Sequence, residues 1–176
     1  MPTNRDFNLL DQANHYLKMA NFAYNKIDLN TMEEDFFIRD CCLFLQMTLE
    51  LYVKGLVEHL CGVDYNHTHY FANNINIIKS NRENINNFNE LESILDRLDD
   101  REEVIVKWHT NAVYVSGFQT TKRQIDEVLN IAEDLKEYVN NNILEEVNVI
   151  QDNVNGEQNN NNTNNGIEET ENNGRK

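Results

Sequence analysis

Between Phe36 and Leu60 the chain reads FFIRDCCLFLQMTLELYVKGLVEHL, a helical segment that is apolar on nearly every face. Phe36, Phe37, Cys41, Phe44, Leu45, Leu49, Tyr52, Val53, Leu56 and Leu60 do not fall on one stripe. One neighbour cannot cover such a helix, so it belongs at the centre of a bundle. At the usual rise it is about 37 Å long, enough to cross a bilayer. Arg39, Asp40, Glu50, Lys54 and Glu58 interrupt it, however, and each is costly in hydrocarbon. The segment therefore predicts a central helix and no membrane span.

The rest of the chain supplies the covering helices. Leu10, Ala13, Leu17, Ala20, Tyr24 and Ile27 recur at steps of three and four, which predicts a first helix over Asp6–Ile27. Thr31 and Glu34 have capping-box spacing ahead of the central helix, and Gly62 is placed to close it in the left-handed conformation. A third helix is expected from His69 to Ser80, burying Phe71, Ile75 and Ile78. Residues 81–87 read as a polar loop. Asn87 with Glu90 repeats the capping-box spacing for a fourth helix, which runs from Phe88 through Trp108 to Ala112 with a bend at Asp99-Asp100. Thr121 and Gln124 cap a fifth, with Ile125, Val128, Leu129, Ala132, Leu135, Val139 and Ile143 inward.

Only one proline, Pro2, and six glycines occur in 176 residues, so little interrupts long helices. From Gln151 the pattern stops, and the Asn- and Glu-rich stretch that follows has too few apolar groups to offset its ordering entropy. The prediction is an all-α, antiparallel bundle of about five helices over residues 1–150, with a disordered tail over 151–176.

Thirty acids against 15 bases give a formal charge of −15. That balance argues against a nonspecific nucleic-acid coat, which needs clustered Lys and Arg, but leaves room for a local basic groove. Cys41, Cys42 and Cys61 all fall in the apolar segment, where free cysteine acts as a small hydrophobe. MPTNRDFNLL has no apolar signal-peptide core, so the expected setting is reducing and cytoplasmic. Cys61, His67 and His69 lack the paired spacing of a structural zinc site, and no Gly-rich phosphate loop occurs. Neither a metal nor a cofactor is expected.

Three stretches point to a family. Leu51-Tyr52-Val53-Lys54-Gly55-Leu56 ends the central helix, His69 follows its loop, and Asn111-Ala112-Val113-Tyr114 ends the fourth helix. With the order and length of the helices, over roughly Asp6 to Val139, this resembles the small helical HEPN proteins, a superfamily tied to RNA cleavage and nucleotide binding. The resemblance implies a homodimer working in toxin–antitoxin, defence or RNA-processing systems. RNA or a nucleotide would be its ligand, and an antitoxin or a nucleotidyltransferase its partner protein. Ribonuclease members, which need no metal, carry an arginine and a histidine separated by four to six residues, both copies facing one cleft.

The corresponding residues here are Arg101 and His109, with seven residues between them, and Tyr114, preceded by Val113 where relatives carry an arginine. A histidine titrates near neutrality and can move a proton to or from a ribose oxygen. An arginine can hold the phosphate and stabilise charge developing on it. Residues eight apart on a helix are offset by about 80° and about 12 Å, so convergence requires a bend or a second protomer. The ordinary alternative stays open: DDREE around Arg101 reads as a solvated charged face, Trp108 as a core anchor and His109 as its polar neighbour. On that alternative the chain is a non-catalytic helical module that binds a partner protein or a nucleotide. Lys54, likewise, has Glu50 and Glu58 four residues away on either side as ion-pair partners.

Overall fold

A computed structural model describes residues 4–27, 34–114 and 120–144, with side chains described for 9–27, 35–108 and 120–143. Among these residues there are six α-helices and no strand. They are α1 (Asn4–Tyr24), α2 (Glu34–Leu56), α3 (Ala72–Ser80), α4 (Phe88–Asp99), α5 (Glu102–Tyr114) and α6 (Lys122–Val139). A π-helical turn, Val57–Cys61, extends α2, and another, Asn140–Leu144, extends α6.

The central position of α2 follows from its composition. No residue from Cys41 to Cys61 is exposed, and Cys41, Leu45, Leu49, Tyr52 and Leu56 are completely buried. Helices α1, α5 and α6 pack on it, and α3 lies against its C-terminal end. Helix α1 runs antiparallel to α2. The Tyr52 hydroxyl donates to Asn14 Oδ1 at 2.6 Å, and one turn further on Gly55 lets Leu10 approach closely. Helix α6 is antiparallel to α1, through Tyr24 to Asp126 and Asn21 to Glu133, both at 2.6 Å. Helix α4 is antiparallel to α6, with Arg97 on Asp134 at 2.5 Å and Asn87 on Asn142 at 2.7 Å.

Several local expectations hold. The α1 stripe Leu10, Ala13, Leu17 and Ala20 is buried, Trp108 is 2% exposed, and Gly62 closes the central helix at φ 63° with its amide donating to Glu58 O at 3.2 Å. Thr121 and Gln124 form the full capping box of α6. Thr31, the loop residues 115–119 and the tail 151–176 lie outside the described residues.

Others are corrected. Helix α3 begins at Ala72, three residues after His69, because its first amides are capped by a side chain from elsewhere. Asn87 makes no side-chain cap; its own backbone is left-handed at φ 53°, and its amide group donates to Asn142 instead. The polar loop contains a short 3-10 turn, Arg82–Asn84, and sends Ile85 into the core. The fourth helix is two helices, broken between Asp99 and Glu102. Asp99 and Asp100 are unfavourable at a helix C-terminus, whereas Glu102 and Glu103 are favourable in a first turn, so a break here matches each acid to its dipole.

A Cβ on Gly55 would lie 2.7 Å from Leu10 Cδ2 and 3.0 Å from Leu10 Cγ, in a site where Leu10 is 1% exposed. Gly55→Val should destabilise the bundle by about 1–3 kcal/mol through overpacking, despite valine's better helix propensity. Urea unfolding reads this directly, and an unchanged midpoint would show that α1 and α2 are not in close contact here.

Candidate functional site

One polar stripe crosses the otherwise apolar α2. Gln46, Glu50 and Lys54 follow at four-residue steps, so they share a face. Gln46 Nε2 donates to Glu50 Oε2 at 2.7 Å, and Lys54 Nζ donates to Glu50 Oε1 at 2.6 Å. Across the loop, His69 Nδ1 lies 3.0 Å from Glu50 Oε2. Gln46 is completely buried, and its Oε1 has no hydrogen-bond partner among the described residues. Burial pushes the Glu50 carboxyl up, but hydrogen bonds from His69, Lys54 and Gln46 outweigh it and hold the group below the ordinary carboxylate range.

Three anchors fix the connection between α2 and α3 over this stripe. Besides His69 on Glu50, the Asn66 amide donates to Asn74 Oδ1 at 2.7 Å while Asn74 Nδ2 donates back to Asn66 O at 3.1 Å. Glu102 Oε1 then accepts from the amides of Phe71 and Ala72 and so caps α3 from the first turn of α5. The Tyr65 ring is 5.3 Å from Lys54 Nζ and meets the His67 ring edge-on at 4.6 Å. Lys54 is thus paired with Glu50, one of the two acids four residues away, and His69 is tied to the same carboxylate.

Arg101 occupies the break before α5. Its carbonyl accepts from the amides of Val104 and Ile105 at 3.1 Å each, so it caps α5. Its guanidinium turns towards α6, where Nη2 meets Glu127 Oε2 at 2.8 Å. Arg123 Nε holds the other oxygen of the same carboxylate at 3.0 Å. Arg97, Asp100, Arg101, Glu127, Asn130 and Ile131 line an open cleft of about 210 Å³ between α4 and α6. His109 and Tyr114 lie further along α5, and their side chains are outside the described residues. Helix α4 ends at Asp99 and α5 runs unbroken from Glu102 past His109, so Arg101 lies between the two helices.

The cysteines are not equipped as nucleophiles. Burial pushes the Cys41 thiol up to about 12 and raises Cys42 and Cys61 as well. Cys61, His67 and His69 do not converge; Cys61 Sγ faces Ile77 O at 4.0 Å, His67 packs on Tyr65 and His69 pairs with Glu50. Among the described residues no three potential ligands gather about one point, and no helix is long and apolar enough to cross a membrane.

Sequence reasoning missed the roles of Glu102 and Glu127. Their partners lie 31 and 26 positions away, Glu102 from Phe71 and Glu127 from Arg101, and no local spacing announces such pairs.

Because the Glu50 carboxyl titrates lower in the folded state than its ordinary 4.5, its contribution is present above that value. It is lost as pH falls through the folded-state titration. Glu50→Gln should therefore be less stable than the parent at pH 7, with the gap closing as pH drops below 4.5. Urea midpoints of both proteins from pH 7 to 3 check this, and a gap independent of pH would show that the carboxylate's charge is not what binds the loop.

The comparisons with known proteins agree with this architecture. No curated protein and no solved structure matches the chain. The model of the HEPN domain family matches residues 8–143, from the first turns of α1 to the turn after α6. A match over more than three-quarters of the 176 residues, on an all-helical bundle, places the chain in the HEPN domain family.

Proposed function

We propose that this HEPN protein is directed at RNA, as an endoribonuclease or a derivative of one, and works as a homodimer in toxin–antitoxin or defence biology. The observation that carries the reading is the position of Arg101. Its side chain is 43% exposed just ahead of α5, lines an open cleft and precedes the helix that carries His109. In the proposed reaction Arg101 binds a backbone phosphate through paired N–H donors and stabilises its developing charge. His109 takes a proton from a ribose hydroxyl or returns one to the leaving oxygen. Tyr114 supplies a further hydroxyl to the strand.

Residues eight apart along a helix are offset by about 80° and about 12 Å, so the proposed site takes the arginine from one copy and the histidine from the other. A two-fold axis beside α5 produces two such composite sites in one cleft.

A second reading is favoured by the ion pair itself. Arg101 is already held by Glu127, and the chain carries a charge of −15, both of which suit a non-catalytic module that binds a partner protein or a nucleotide. His109→Ala separates the two. On the ribonuclease reading the variant loses RNA cleavage, by at least about 100-fold for a general base, with helicity and oligomeric state unchanged. Equal cleavage by the two proteins, or none by the parent, would assign the bundle to the interaction class.

A further inference from the structure

Glu127 is held as a phosphate would be. Arg101 Nη2 approaches one of its oxygens at 2.8 Å and Arg123 Nε the other at 3.0 Å, so a single carboxylate bridges two guanidiniums. Two oxygens of one anion shared between arginines is the geometry that arginine offers a phosphate group. We propose that Arg101 and Arg123 form a phosphodiester-binding site for single-stranded RNA, and that Glu127 occupies it as a built-in competitor. The inference rests on the RNA-directed reading and deepens it, adding Arg123 and Glu127 to a site in which only Arg101 had a role.

Three further observations agree. First, the pairs are poorly placed to stabilise the fold. The side chains of Arg101, Glu127 and Arg123 are 43%, 30% and 87% exposed, and ion pairs so open to solvent contribute little. Second, α6 begins with Lys122 and Arg123 and has no acid in its first turn, the reverse of what the helix dipole favours. Cations there weaken the helix but add to the pull on an anion arriving at the cleft. Third, Arg101 and Glu127 line the open cleft of about 210 Å³ between α4 and α6, room for a phosphate group and its sugar. Arg97 lines the same cleft with its guanidinium on Asp134, and Asp100 is the remaining acid at its edge.

The charged residues that line the cleft, Arg97 and Arg101 against Asp100 and Glu127, balance to zero in a chain whose overall charge is −15. The cleft is therefore a local relief in an acidic surface. A strand reaching it must displace Glu127, which lowers affinity for RNA in general and reserves binding for ligands that engage both arginines together.

The test is binding of a fluorescein-labelled 20-nucleotide single-stranded RNA by anisotropy, over a range of salt concentrations, with no cleavage required. Glu127→Gln keeps the shape and removes the competing charge, and should bind about tenfold more tightly with a steeper salt dependence. Arg123→Ala should bind more weakly than the parent, and adding Arg101→Ala to Glu127→Gln should erase the gain. Glu137→Gln, an exposed acid ten positions further along α6, controls for net charge. A gain no larger than that of Glu137→Gln, or one that survives the loss of Arg101, overturns the proposal. A gain seen with adenosine triphosphate but not with the RNA overturns the assignment to a strand. Melting temperatures show that each variant is folded. If Glu127→Gln binds RNA more tightly while no variant cleaves it, the site stands and the ribonuclease reading falls; if the parent cleaves RNA and Glu127→Gln gains nothing, the reverse holds.

Discussion

The architecture depends on one requirement, that α2 be covered on all sides from Cys41 onward, whereas Phe36 near its start is not buried as the sequence suggests but 67% exposed. A helix with apolar groups round most of its circumference cannot lie at a surface, and here none of the residues from Cys41 to Cys61 is exposed. Every other element is placed by that demand. Helix α1 lies close along it through Gly55, α6 and α5 fill two more sides, and the π turn with Gly62 ends it where the chain must double back into α3. The cost of the arrangement is that any polar group on α2 must find its partners inside the bundle. Glu50 does so by collecting Gln46, Lys54 and His69 on one carboxylate.

That buried polar stripe and the Arg101 cleft are joined at the start of α5. Adjacent residues there point in different directions. Arg101 reaches α6 and ends on Glu127, while Glu102 turns to the amides of Phe71 and Ala72 and holds the loop whose His69 rests on Glu50. The break between α4 and α5 makes this divergence possible, because it lets the first turn of a new helix begin where two neighbouring elements both need a partner. Arg101 itself stands in that break, ahead of the helix on which His109 lies.

Much of the fold was legible because its signals are local. The α1 stripe, Gly62 at positive φ and the Thr121–Gln124 capping box are each decided within a few residues of themselves, and each is found as expected. What failed was decided at a distance. Asn87 and Glu90 have the spacing of a capping box, but a partner 55 positions away, Asn142, claims the asparagine side chain. The start of α3 moved from His69 to Ala72 because Glu102 supplies its cap. Ile85 sits in a polar run, yet the gap beside the core draws it in. In the candidate site, Arg101 was legible by type and position, whereas its ion pair with Glu127, 26 positions away, was not; only the pairing of Glu127 with Arg123 has a local spacing.

The central claim about function is that the reactive pair is shared between two chains. Co-refolding Arg101→Ala with Glu127 intact and His109→Ala in equal amounts tests it directly, since each variant alone lacks one half of both sites. The account predicts that the separate variants are inactive on RNA and that the mixture recovers about a quarter of the parental rate, because half the dimers are mixed and each carries one complete site. A mixture as inactive as its components, with mixed dimers demonstrated to form, would contradict it.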